Sequence, residues 1–258
     1  AVVMLPMALG LREQPLQTHA GPRQSILEAT REAFSYRPFQ LLVAGYFVCG
    51  FQLVFIGVHM PAYLKDKGVA DPQVAVIALA VIGLFNIFGS YYAGKLGDLL
   101  PRRYLLSSIY FLRTVVIALF LLAPLTPWSI YLFAAAMGLL WLATVPLTNA
   151  IVAGIFGVRH MAMLAGFVFF SHQVGSTLGV WLGGYLFTRD GNYDMVWMVT
   201  IALGIFAALV NLPVNERSIV RLQPAAAGAC EYSFEAEAMG RRHEKAPHRR
   251  GSCRTVRS

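Results

Sequence analysis

Charge is scarce in this chain. Asp, Glu, Lys and Arg make up 13% of its 258 residues, against about a quarter in an ordinary soluble domain. With 57% hydrophobic residues and a mean hydropathy of +0.59, that scarcity excludes a soluble globular enzyme. Cysteine is sparse too. Cys49, Cys230 and Cys253 lack metal-ligand spacing, so neither a zinc site nor a disulfide framework is expected. No metal, cofactor or catalytic residue is assigned. The formal net charge of +8 could point to nucleic acid, but its distribution points elsewhere.

A membrane-spanning helix needs about 20 mostly apolar residues. Charge-free windows separate Arg37 from Lys65, Asp71 from Lys95, Arg159 from Arg189 and Asp194 from Glu216. The stretch from Arg113 to Arg159 is too long for one span, and Pro124 and Pro127 divide it, with Trp128 as an interfacial anchor after the break. The reading is an all-α membrane protein with six spans, at 39–62, 73–94, 104–123, 128–151, 163–186 and 195–213. Together they form a bundle over 39–213.

Residues 1–11 are apolar but too short to cross a bilayer, and they lack the basic start and cleavage site of a signal peptide. They read as the end of a preceding span, followed by a cytoplasmic loop over 12–38. Orientation follows the basic residues. One side carries Arg12, Arg23, Arg31, Arg37, Lys95, Arg102, Arg103 and Arg159; the other carries only Lys65, Lys67 and Arg189. The first side, and with it the C-terminus, is expected in the cytoplasm.

Residues 214–258 hold nine Lys/Arg against five Glu and read as a basic, disordered cytoplasmic tail. Attachment to anionic lipid is the sharper alternative. Nucleic-acid binding is not expected, because no aromatic residues are interleaved for base stacking.

Between the second and third spans stands Gly94-Lys95-Leu96-Gly97-Asp98-Leu99-Leu100-Pro101-Arg102-Arg103. Read as a short loop, it needs a glycine at the helix end for close reversal and an aspartate near a helix N-terminus. Its paired arginines can bridge to carboxylates. This motif resembles the G-x-L-x-D-x-x-G-R-R/K signature of the major facilitator superfamily, with Gly94, Leu96, Asp98, Arg102 and Arg103 in matching positions. Leu99 stands where that family usually has Arg, and Pro101 where it has Gly. The resemblance implies the C-terminal half-bundle of a twelve-helix transporter. Its partners would be a small solute, the lipid bilayer and a missing N-terminal half, with a proton or another ion as candidate coupling partner. It further implies a rocking mechanism, with Asp98 and its arginines latching the cytoplasmic face.

Polar groups inside lipid are costly and usually face a cavity or another helix. In the family's fold the first, second, fourth and fifth spans of each half line the cavity. That selects Tyr46, Gln52 and His59; Asn86 and Ser90; Trp141, Thr144 and Thr148, with Pro146 expected to kink the fourth span; and His172, Gln173 and Ser176. Ser171, Gly175, Gly179 and Gly183 recur every four residues, a stripe that lets another helix approach closely. His172 is read either as a solute- or proton-handling group or as a structural one. Arg113, the one charge near the middle of a span, needs a partner. A contact to Asn86 or a backbone carbonyl is weighed against anion binding. The overall look of the first and fourth spans is similar to bacterial relatives of the monocarboxylate transporters. Those carriers usually place Asp, and Arg four residues later, where this chain has Asn86 and Ser90.

The reading is therefore a secondary transporter, symporter or antiporter, of a small organic solute in the bacterial inner membrane. The alternatives are a non-transporting six-span scaffold, or a membrane hydrolase built on Ser90 and His172 that would lack a G-x-S-x-G elbow.

Overall fold

Proline and short polar side chains mark where the helices begin. The computed structural model describes residues 25–69 and 71–219. Residues 1–24, which include the expected end of a preceding span, and the tail from 220 onward lie outside the described residues.

A short helix, α1 (Ile26–Ser35), comes first. Ser25 Oγ accepts the Glu28 N–H at 3.2 Å, and the Glu28 carboxylate accepts the Ser25 N–H at 2.9 Å. This reciprocal cap satisfies two donors that a helix start leaves open. The loop expected over 12–38 thus contains a helix, with Ala29 and Ala33 buried.

The first span, α2 (Arg37–Asp66), follows at once, with Pro38 in its first turn. The second, α3 (Pro72–Leu99), is capped by Asp71, which accepts the Gln73 N–H at 2.9 Å. The third, α4, covers Arg102–Leu122. The fourth is two pieces, α5 (Pro127–Leu140) and α6 (Thr144–Phe156), separated by an unwound turn. The fifth, α7 (Met161–Asp190), ends on Gly191, whose φ of 71° suits glycine at a helix C-terminus. The sixth is α8 (Asp194–Asn211). All six spans are long and apolar enough to cross a membrane. No strand occurs among the described residues.

Most of these helices overrun the expected spans, because charged residues at the ends stay helical beyond the apolar core. The expected loop at 94–103 is the clearest case. There α3 continues to Leu99, so Gly94, Leu96, Gly97 and Asp98 are helical and the reversal falls on Leu100 and Pro101. Pro101 sets the end, since the residue before a proline is driven from helical to extended geometry; Leu100 has φ −122° and ψ 155°.

The first span packs chiefly against the fifth, the second against the fourth and the third against the sixth. Two apolar clusters result. One gathers Phe39, Leu42, Ile151, Phe156, Leu164 and Val214; the other gathers Phe55, Met60, Phe120, Phe133, Ile130 and Trp197. Between them lies a buried polar layer of Gln52, Arg113, Thr144 and Thr200.

The segment after α8 also folds. Val214 is buried, the Ile219 N–H donates to the Ile155 carbonyl at 3.1 Å, and Glu216 accepts the Arg103 N–H at 2.7 Å. Residues 214–219, which the sequence reading places at the start of the tail, therefore pack against the bundle. Apolar packing and one helix cap hold them down.

Candidate functional site

The fifth span's small residues bring it against the first. Ser171 Oγ donates to the Val43 carbonyl at 3.0 Å. A side chain at Gly175 would collide with the Phe47 carbonyl, and one at Gly179 would lie 2.6 Å from the Phe51 carbonyl. At Gly183 it would lie 2.8 Å from the His59 ring. The register advances four residues on both helices, so the two run parallel in backbone contact.

That contact positions His172, which is buried between the rings of Phe169, stacked at 5.6 Å, and Tyr46, at 5.3 Å. Its Nδ1 lies 3.3 Å from Ser176 Oγ and 3.4 Å from Gln173 Oε1. Ser176 donates its own proton to the His172 carbonyl at 2.8 Å, so Nδ1 carries the ring proton and both neighbours accept. Gln173, beside it, is exposed near the middle of a 30-residue helix.

His59 sits elsewhere, in an aromatic group with Phe55 and Tyr193. Its Nε2 lies 3.0 Å from the Val180 carbonyl, which can only accept, so the Tyr193 hydroxyl, at 3.4 Å, donates to Nδ1.

The fourth span's interruption organises the rest. Pro146 falls in the first turn of α6, and its ring opposes the carbonyl four residues back, that of Leu142. The helix is unwound over residues 141–143 rather than kinked at Pro146. The freed carbonyls of Leu140 and Trp141 accept Arg113 Nη2 at 2.6 and 3.1 Å. On the other side, the Leu142 N–H donates to Asn86 Oδ1 at 3.0 Å, and Ser90 donates to the same oxygen at 3.3 Å. Arg113 therefore contacts backbone carbonyls, and Asn86 serves the same turn from another helix.

Arg113 is fully buried. Its Nη1 reaches Gln52 Oε1 and Cys49 Sγ, both at 3.5 Å, and its guanidinium lies 5.3 Å from the Tyr110 ring centre. None of these is an Asp or Glu carboxylate; together they form an acceptor fork for a buried cation. Gln52 also donates to the Thr200 carbonyl at 3.0 Å, and Cys49 Sγ lies 3.4 Å from Thr144 Oγ1. Thr148 is buried lower on α6, while Trp141 is half-exposed, about 4.0 Å from where a side chain on Gly57 would sit. Sequence reasoning weighed a backbone carbonyl as a partner for Arg113 without saying which, and it passed over Thr200, since neither a backbone break nor its cross-helix partners leave a local sequence signal.

At the helix ends beyond the apolar core, Arg102 Nε donates to the Gly97 carbonyl at 3.0 Å and lies 3.8 Å from an exposed Asp98. Arg103 lies over the Tyr104 ring at 4.5 Å. A side chain at Gly97 would press on Leu147, while Gly94 has open space and Leu96 is exposed.

A six-span bundle with a broken fourth helix and buried polar groups fits one half of a membrane transporter fold. The family comparison agrees. The family model for the Major Facilitator Superfamily matches residues 1–148 and, in an overlapping placement, 42–249. The chain belongs to that superfamily and is an integral membrane protein. It is 29% identical over 229 residues to an uncharacterized MFS-type transporter, YcxA, of Bacillus subtilis (strain 168), a match covering 82% of this chain and 53% of that protein. It is similar to monocarboxylate transporter 13 of Bos taurus, 29% identical over 212 residues, covering 80% of this chain and 47% of the relative. The Rattus norvegicus protein of the same name is 31% identical over 160 residues, 60% of this chain and 37% of its own length. The chain spans about half the length of the first two of these curated relatives.

Proposed function

We propose that this chain is the C-terminal half-bundle of a secondary transporter that carries a small organic solute by alternating access. It would act with a second six-helix bundle, in the bacterial inner membrane, with the described C-terminal segment on the cytoplasmic side. The observation that carries this reading is Gln173, an exposed amide near the middle of an apolar 30-residue helix. Its oxygen accepts from His172, but an amide exposed to hydrocarbon is still costly, so it fits a water-filled cavity better than lipid. Half-exposed Asn86 and Ser90, in the middle of the 28-residue α3, support the same reading.

The monocarboxylate transporter relatives make small carboxylates the first solutes to test. The mid-span sequence supplies no carboxylate for proton uptake, so coupling through this half falls to His172, whose unperturbed type titrates near neutrality. Asp98, Arg102 and Arg103 would close the cytoplasmic side against the other bundle.

The test is solute uptake into proteoliposomes holding the full chain together with the proposed second bundle. Saturable uptake is expected in the wild type. Asn86→Leu or His172→Leu should impair it while membrane insertion stays normal. Wild-type uptake kinetics in both variants would remove these residues from the site.

A further inference from the structure

Among the backbone groups that the interruption of the fourth span leaves without helical partners are the Leu140 and Trp141 carbonyls and the Leu142 amide. In a continuous helix the Leu140 and Trp141 carbonyls would accept the Thr144 and Val145 amides, and the Leu142 amide would donate to Gly138. Here the Val145 N–H turns to Leu142, and the Gly138 carbonyl is taken by Trp141. In the bilayer core no solvent replaces such partners. Two side chains from two other spans supply them: Arg113 donates to both carbonyls, and Asn86 accepts from the amide.

The pieces on either side of this turn are each anchored to neighbouring spans, and both touch the second span. A side chain at Gly89 would collide with the Leu139 carbonyl, and one at Gly138 would lie 2.7 Å from the Ile82 carbonyl, so α5 is locked to the second span. The other piece, α6, is held by the Cys49–Thr144 contact and by Leu147 against Gly97. The turn joins two anchored pieces as a hinge would, and its half-exposed residue is Trp141.

We propose that Arg113 and Asn86 clamp this hinge from opposite sides, and that Arg113 is a positioning residue that sets Trp141 through the Leu140 and Trp141 carbonyls. Burial of a guanidinium with no Asp or Glu partner is the price of holding a break that a continuous helix would not need. The clamp stands on geometry alone; its bearing on solute passage rests on the transport reading above.

Amide hydrogen exchange of the full chain in lipid nanodiscs tests it, read on peptides covering residues 139–147. Arg113→Leu and Asn86→Leu should each speed exchange there about tenfold, the scale expected when a buried partner is lost. The first span should change little. Arg113→Lys and Asn86→Asp keep a donor and an acceptor, so they should recover much of the protection. If Arg113→Leu does not insert, the Asn86 pair decides alone. Unchanged or slower exchange in 139–147, an equal rise across all spans, or no recovery in the conservative variants overturns the clamp. If exchange responds as stated but the wild-type transporter moves no solute, the clamp stands and the transport reading fails.

Discussion

Gly50 faces the carbonyl oxygen of His172 so closely that a single added methyl group would collide with it. The same is true of Gly175 and the Phe47 carbonyl on the opposite helix. Gly50→Ala and Gly175→Ala must therefore push the first and fifth spans apart, and each should destabilise the bundle by about 1–3 kcal/mol. Gly154→Ala and Gly166→Ala, where nothing lies within 4 Å, should be neutral or slightly stabilising through helix propensity. Unfolding curves in detergent would separate the two pairs; equal effects would mean that the close approach is not strict.

Glu216, beyond the last span, accepts the Arg103 amide at the start of α4. A carboxylate at that position satisfies an open donor and complements the helix dipole. Glu216→Ala should cost about 1 kcal/mol and raise exchange at Arg103 and Tyr104 first. Glu216→Gln should retain part of the protection, because its amide oxygen still accepts. An unchanged exchange profile would show that solvent serves this end equally well.

Glu28 gives a pH-dependent prediction. Its bonds from the Ser25 N–H and hydroxyl hold its carboxyl below the usual value of 4.5. A depressed carboxylate stabilises α1 fully above that ordinary value, and the gain is lost as pH falls through the lower folded value. Protection of α1 should thus be flat near neutrality and fall only in acid. Ser25→Ala should move the Glu28 titration back up toward 4.5. Side-chain carboxyl NMR reads it, and an identical titration in the variant would contradict the cap.

The six spans were legible because lipid demands long apolar helices and the chain punctuates them with charge. The start of α1 was passed over: Ser25-Ile26-Leu27-Glu28 has the spacing of a capping box, but charge and hydropathy alone mark 12–38 as a loop. The glycine stripe marked a close-packing face, and its register against Val43, Phe47 and Phe51 needed the structure. Pro146 signalled a disturbance in the fourth span but not its place, since the break also depends on Arg113 and Asn86 from other helices. Glu216 was silent for the same reason. Its partner is 113 residues away, and nothing local distinguishes a capping glutamate from a solvated one.

The central claim is that the polar face of this bundle lines a watery cavity. Thiol accessibility tests it most directly, in the chain assembled with the second bundle proposed above and with Cys230 and Cys253 changed to Ser. Gln173→Cys should react with a membrane-impermeant thiol reagent, and added solute should slow the reaction. Leu119→Cys, on an exposed apolar position of the third span, should stay unreactive. Equal protection of both positions would mean that Gln173 faces lipid or packed protein, and would contradict the cavity on which the transport reading rests.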